Sequence, residues 1–258
     1  MTYRIHRHGT IDSTSERAFA AIADGSARDG DVHVAEAQTR GRGRLGRSWH
    51  SAPGEGLYAS VVLLPERPLP PAALTIAVGL AVHDAMTRLG VADARLKWPN
   101  DVVVPSRGDA TTPAKLSGIL VETRGLSLER PHYVVGVGVN VAQRSFPPEL
   151  LAERPVTSLA SCGVTTSVED VLAAILEALP TRIADVERSP RALARDYAVA
   201  TGCVEGARVE VDVGDECLVG SIRSFDLERG IVVATDDGVV RAVPLEIVRA
   251  LRPALARC

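Results

Sequence analysis

Apolar and polar positions alternate over residues 32–37, a period of two that predicts a half-buried strand, and the short apolar run 57–64, rich in β-branched residues, predicts a second. Before them the period is helical. Ala18, Phe19 and Ile22 share one face of a helix predicted over 14–24, and Ser13 with Glu16 forms an S-x-x-E capping box at its start. Pro70 and Pro71 open an apolar run that Gly90 closes, which predicts a long helix over 72–89. Strands follow at 95–98, 102–104, 116–122 and 133–139, with a polar loop at 105–113. Ser167 caps a helix beginning at Val168 that Pro180 is expected to kink or end, and 191–200 predicts another. From about Cys203 the runs become short and β-rich, at 208–213, 217–224, 231–234 and 239–243. Gly214-Asp215, Arg229-Gly230 and Asp237-Gly238 supply residues that tolerate positive φ at the turns between them. The pattern is that of an α+β chain, with a larger unit over 1–202 and a small barrel-like β unit over 203–258.

Composition narrows the function classes. With 46% hydrophobic and 24% charged residues the chain reads as globular, and 258 residues allow one large domain and one small. A net charge of -3 argues against a general binder of polyanions, so nucleic acid is not the expected partner. Cys162, Cys203, Cys217 and Cys258 lack paired metal-type spacing, which points to reduced thiols and a cytoplasmic location. The N-terminal MTYRIHRHGT has no apolar signal core, and the apolar stretch 72–82 is too short to span a bilayer, so no membrane role is expected. His6 and His8 fall on one face of a strand without an evident third ligand, the pattern of packed or solvated histidines.

Candidate chemistry is concentrated in four short segments. Arginine carries almost all the positive charge among the 29 Lys and Arg residues; Lys97 and Lys115 are the only lysines, Asn100 and Asn140 the only asparagines, Trp49 and Trp98 the only tryptophans. All six lie in GRGRLGRSW (41–49), KWPND (97–101), KLSG (115–118) or GVGVN (136–140). A compact ammonium differs from a planar, permanently charged guanidinium, which gives lysine a reason to persist in an arginine-rich chain. Gly41, Gly43 and Gly46 match G-x-G-x-x-G and precede Glu66, as in a dinucleotide fingerprint. That motif needs a helix directly after the glycines, whereas 47–56 contains Trp49, Pro53, Gly54 and Gly56 and leads into a strand. No Lys-Ser or Lys-Thr follows either, which excludes a Walker loop. What remains is a flexible loop whose Arg40, Arg42, Arg44 and Arg47 can offer guanidinium forks to phosphate or carboxylate.

Taken together, Asp12-Ser13-Thr14, Gln38, GRGRLGRSW, KWPND, KLSGILVE and GVGVN resemble the biotin protein ligases in order and approximate spacing. The resemblance implies a catalytic domain with a central mixed sheet and flanking helices over 1–202, followed by an SH3-like barrel over 203–258. It implies biotin, ATP and Mg²⁺ as substrates and cofactor: the biotin carboxylate attacks the α-phosphate of ATP, pyrophosphate leaves, and a carrier-domain lysine takes the biotinyl group from biotinyl-5′-AMP. The implied partner is the biotin carboxyl carrier domain of an acyl-CoA carboxylase, served by a monomer or homodimer. The motifs begin near Ser13, so the monofunctional type without a DNA-binding domain is expected.

The resemblance also assigns residues. Lys115 reaches the biotin carboxylate and α-phosphate and, with Arg42 and Arg44, is expected to be catalytic. Ser13, Thr14, Ser15, Gln38, Gly41, Arg42, Gly43, Arg44, Lys115, Gly118 and Gly138 are expected around biotin, with Ser15 standing where the family usually has Asn. Arg42, Arg44, Arg47, Trp49, Lys97, Asn100 and Asn140 are expected around the nucleotide, and Asp101 serves nucleotide, Mg²⁺ or turn geometry. Lipoate ligases share the related fold and adenylate chemistry, but GRGRLGR and KWPND favour biotin. A non-enzymatic biotin-binding module would not explain the nucleotide motifs.

Overall fold

The computed structural model describes residues 1–106, 109–125 and 128–254; Cys258 lies outside them. Seven strands form one sheet in the order β1-β2-β3-β7-β6-β5-β4. These are β1 (Arg4–Ile11), β2 (Asp31–Gln38), β3 (Gly56–Leu63), β4 (Arg95–Lys97), β5 (Asp101–Ser106), β6 (Asp109–Glu122) and β7 (Tyr133–Asn140). Only β1 and β2 pair in parallel, joined through α1 (Thr14–Ala23), so the sheet is mixed as expected.

The back face of this sheet is covered by α2 (Pro71–Arg88) and α4 (Val168–Arg188), with α5 (Pro190–Thr201) beside them. Val135, Val137 and Val139 of β7 join Leu57, Ala59 and Val61 of β3 against Leu74, Ile76 and Val78 of α2 in one continuous buried core. Burial of this much aliphatic surface is the main stabilising contribution. A second, antiparallel sheet in the order β11-β10-β9-β8-β12 comprises β8 (Arg208–Val213), β9 (Glu216–Asp226), β10 (Gly230–Thr235), β11 (Val240–Val243) and β12 (Val248–Pro253). It docks through Phe225, which stacks on Tyr197 at 5.6 Å between ring centroids, and through Trp98, whose ring meets both edge-on and whose Nε1 donates to the Val248 carbonyl at 2.9 Å. The α+β class is therefore as read from the pattern. Among the described residues no helix is long and apolar enough to cross a membrane, and Cys162, Cys203 and Cys217 are free thiols.

Four local readings are corrected. Helix α4 continues through Pro180 to Arg188, because Val171, Leu172, Ile175 and Leu179 are buried and their packing outweighs one lost backbone bond. Residues expected as a polar loop at 105–113 fall largely in β5 and β6, which pair Val104 with Ala114 and Ser106 with Asp109; Pro105 falls in the register shift between these pairs. The capping box is not made: the Ser13 side chain caps nothing, and Glu16 faces two arginines instead. His6 and His8 do have a third histidine, since parallel pairing sets His33 beside them, with ring centroids 4.8 and 5.4 Å away. The stacked rings form no metal site among the described residues. Burial holds the His33 imidazole down at about 4, with His6 and His8 adding to the effect. Strand β1 (Arg4–Ile11) carries His6 and His8 as expected, whereas the short α3 (Pro148–Glu153) and β12 were not anticipated as elements.

Candidate active site

The front face of the same sheet has small residues where the back has valine and leucine. Gly118 on β6 stands directly opposite Gly138 on β7, and Leu120 opposite Gly136, with Ser60 of β3 next in the row. Together with the loop 41–49 these positions bound a cavity of about 600 Å³. The half-buried indole of Trp49 lies on the glycine pair: a Cβ at Gly138 would stand 2.4 Å from Trp49 Cε2, and one at Gly118 would stand 2.8 Å from Cζ3. Any larger residue at either position would expel the ring. The indole Nε1 is buried without a partner, a donor left for a ligand acceptor.

At one end of the cavity hydroxyls and an amide converge. Gln38, the last residue of β2, accepts from the Thr14 amide at 2.9 Å and from Thr14 Oγ1 at 3.2 Å through its Oε1, so glutamine caps α1 in place of the serine. Its Nε2 donates to Ser51 Oγ at 3.0 Å. Ser60 Oγ lies 2.8 Å from Thr14 Oγ1 and 3.2 Å from Ser15 Oγ. This set both donates and accepts, which suits a neutral cyclic amide or urea. Gly41 sits behind it: a Cβ there would meet the Trp49 carbonyl at 2.5 Å and Gln38 Nε2 at 3.0 Å.

At the other end stands Lys115. Its Nζ is 2.6 Å from Asp101 Oδ1 and 5.3 Å from the Trp49 ring centroid, and its side chain is 12% exposed. Backbone bonds to Pro155 and Thr157, each 2.9 Å, fix the residue from the neighbouring segment. Burial lowers its ammonium below the ordinary lysine range, while Asp101 pulls in the opposite direction. Arg44, Arg47 and Arg154 also border the cavity, so cations surround the Lys115–Asp101 pair. The loop itself is a small hairpin: the Gly43 amide donates to Arg47 O at 2.7 Å and the Trp49 amide to Gly41 O at 2.9 Å. A tight turn at Arg44–Gly46 separates them, with no helix after the glycines.

Most of the residues singled out from sequence meet here. Ser13, Thr14, Ser15 and Gln38 border one end; Lys115 and Asn100 border the other; Arg42, Gly43, Arg44, Arg47 and Trp49 form the lid, with Gly118 and Gly138 beneath. Two do not. Lys97 is exposed and does not border the cavity, and buried Asn140 spends its amide on the Thr157 carbonyl at 2.8 Å, tying β7 to the segment that holds Lys115. Asn100 borders the cavity, but its Nδ2 donates to the Ile119 carbonyl at 2.6 Å. Sequence reading missed Ser60, although a serine inside the apolar run LYASVV was a signal, and it missed Arg154, Glu246 and Arg249, which reach the cavity only through tertiary packing.

A slot floored by glycine, bordered by an arginine-bearing loop and ending on one buried lysine has the polarity to hold a small anion. Comparison with known proteins sharpens this. The model of the biotin/lipoate A/B protein ligase family matches residues 9–140. A biotin–[acetyl-CoA-carboxylase] ligase of Mycobacterium tuberculosis is 37% identical over 221 residues, 83% of this chain and 77% of that protein. The bifunctional ligase/repressor BirA of Salmonella typhimurium is 30% identical over 232 residues, 90% of this chain and 69% of its own. A biotin protein ligase from Aquifex aeolicus, solved with biotin and ATP, superposes with a TM-score of 0.78 at 26% identity, covering 97% of this chain and 99% of that one. The chain belongs to the biotin/lipoate A/B protein ligase family, and the family resemblance read from its motifs is borne out.

Proposed function

We propose that this ligase activates biotin with ATP as biotinyl-5′-AMP and transfers the biotinyl group to a lysine of a biotin carboxyl carrier domain. The observation that carries the reading is the pairing of the two ends of one cavity: a donor–acceptor set at Thr14, Gln38 and Ser60 suited to a ureido ring, and the Lys115 ammonium at the far end suited to a carboxylate and an α-phosphate. Biotin is longer than its ring, and its aliphatic chain would run between the ends beside the Trp49 indole, which covers the glycine pair.

In this reading the carboxylate oxygen forms a bond to the α-phosphorus as the bond to pyrophosphate breaks. Lys115 stabilises the negative charge that grows on the transferred phosphoryl group, and Asp101 holds the ammonium in place. Arg44 and Arg47 add charge-assisted hydrogen bonds from the lid, which also excludes water from the mixed anhydride. The acceptor lysine then attacks the acyl carbon and AMP leaves. Among the described residues no group of three or more His, Cys, Asp or Glu could hold a metal; Mg²⁺ would enter on the phosphates of ATP, which supply much of its oxygen shell together with one or two carboxylates. We assign the two units to 1–202 and 203–258, the second an SH3-like barrel whose Glu246 and Arg249 complete the cavity rim.

Mass spectrometry of a carrier domain incubated with the enzyme, ATP, Mg²⁺ and either biotin or lipoate tests the proposal. Addition of one biotinyl group, and no lipoyl group, is the expected result; lipoylation alone would move the chain to the other branch of its family.

A further inference from the structure

Arg42 was expected to meet the ligand with its charge, yet both arms of its guanidinium are engaged elsewhere. Nη1 lies 2.5 Å from Glu16 Oε1 and Nη2 lies 2.6 Å from Glu122 Oε1. The two carboxylates come from separate elements, α1 and the end of β6, so one loop side chain bridges a helix and the sheet across the cavity wall. Arg124 fixes Glu16 from the other side, with Nη1 at 3.0 Å from Oε2 and its guanidinium carbon 4.1 Å from the Phe19 ring centroid. Glu122 is 17% exposed in its side chain. Four charges on three elements form a network rather than an isolated surface pair, the case in which ion pairs count.

The loop transmits this anchorage. Arg42 is bridged to Ser48, and the Gly43 and Trp49 amides close the same small hairpin, so fixing Arg42 fixes the indole over the Gly118–Gly138 slot. Gly41 and Gly43 flank Arg42, which leaves that side chain as the point where a loop of freely rotating residues is pinned.

We propose that Glu16 and Glu122 are positioning residues that latch the lid through Arg42 and thereby set how long the small-molecule substrate and its activated form stay in the cavity. They touch neither reacting atom. The consequence for ligand residence rests on the reading of this cavity as the biotin site, whereas the latch itself does not.

The test uses the full chain with Glu122→Gln and Glu16→Gln, both isosteric and neutral, alone and combined with Arg42→Gln. Hydrogen exchange at the Gly43 and Trp49 amides should speed up roughly tenfold in each single variant, with the amides of β3 and β7 unchanged, as expected for losing one charge-assisted bond. Biotin should dissociate about tenfold faster by rapid mixing, and Glu122→Gln should add nothing once Arg42 is Gln. Should Glu122→Gln lower the melting temperature, the more exposed Glu16→Gln carries the same reading. Unchanged loop exchange in both variants, or effects of Glu122→Gln and Arg42→Gln that multiply, would overturn the latch. Faster loop exchange in a protein that does not bind biotin would leave the latch standing and refute the ligand assignment.

Discussion

The two faces of the seven-stranded sheet are made by the same strands and have opposite requirements. On the back, alternate residues of β7 are Val135, Val137 and Val139, buried against α2 and α4. On the front, the residues between them are Gly136 and Gly138; Gly138 faces Gly118 on β6 and Tyr58 on β3, and Gly136 faces Leu120 and Ser60. One face fills space like a protein interior, and the other withholds side chains at Gly118 and Gly138, where the Trp49 indole lies. Stability and chemistry are thus separated by a single residue step along one strand, and substitutions on the two faces should fail in different assays.

The sharpest separation is expected at Lys115. Lys115→Ala should slow pyrophosphate release by about 10²–10³-fold, the scale for removing one preorganised charge from a transition state, with the melting temperature nearly unchanged. Lys115→Arg should also be impaired, because a planar fork cannot occupy the place of an ammonium held 2.6 Å from Asp101. The back face should behave in the opposite way. Leu74 is fully buried, so Leu74→Ala should cost about 2–5 kcal/mol in urea unfolding while KM for biotin stays constant. A rise in KM comparable to that of a front-face variant would merge the two faces into one mechanical unit.

Gly138→Ala probes the slot itself. The new methyl would meet the Trp49 ring at 2.4 Å, so the lid must lift, and biotin binding by calorimetry should weaken roughly tenfold with little loss of stability. Tight binding with unchanged lid exchange would mean that the indole need not rest on the glycines. Acid stability provides a further contrast. His33 is 6% exposed and held neutral down to about 4, so the unfolded chain, whose imidazole titrates near 6.5, binds the proton first. The stability gained by keeping the ring neutral is present above the unfolded value and is lost as pH falls from there toward 4, a loss of roughly 3 kcal/mol. His33→Gln should flatten that limb in melting curves recorded from pH 7 to 4; an identical slope would place the acid sensitivity elsewhere.

The two faces also differed in how readily the sequence disclosed them. The V-G-V-G-V run of β7 shows both at once, because glycine at every second position of an apolar strand implies close approach on one side. The loop 41–49 was legible for the same reason: its glycines and arginines have no use in a core. Harder to read were residues whose roles depend on partners distant in the chain. Glu16 looked like half of a capping box, but Arg42 and Arg124 claim it, and Gln38 takes over the cap. Asn140 looked like a ligand contact because asparagine is rare here, yet it bonds the Thr157 carbonyl. Strand β1, with its sequence RIHRHGTI, lacks clean alternation because it is an edge strand with a partner on one side only. Pro180 read as a kink or end of the helix, and the helix does not end there because local propensity takes no account of the packing of Ile175 and Leu179 around it.

The central claim, that the front face seats a carboxylic acid and joins it to AMP at Lys115, is most directly tested by exchange of labelled pyrophosphate into ATP without any acceptor protein. The account predicts exchange that depends on biotin and falls about 10²–10³-fold in Lys115→Ala at an unchanged melting temperature. Exchange that proceeds equally without biotin, or that survives intact in Lys115→Ala, would contradict it.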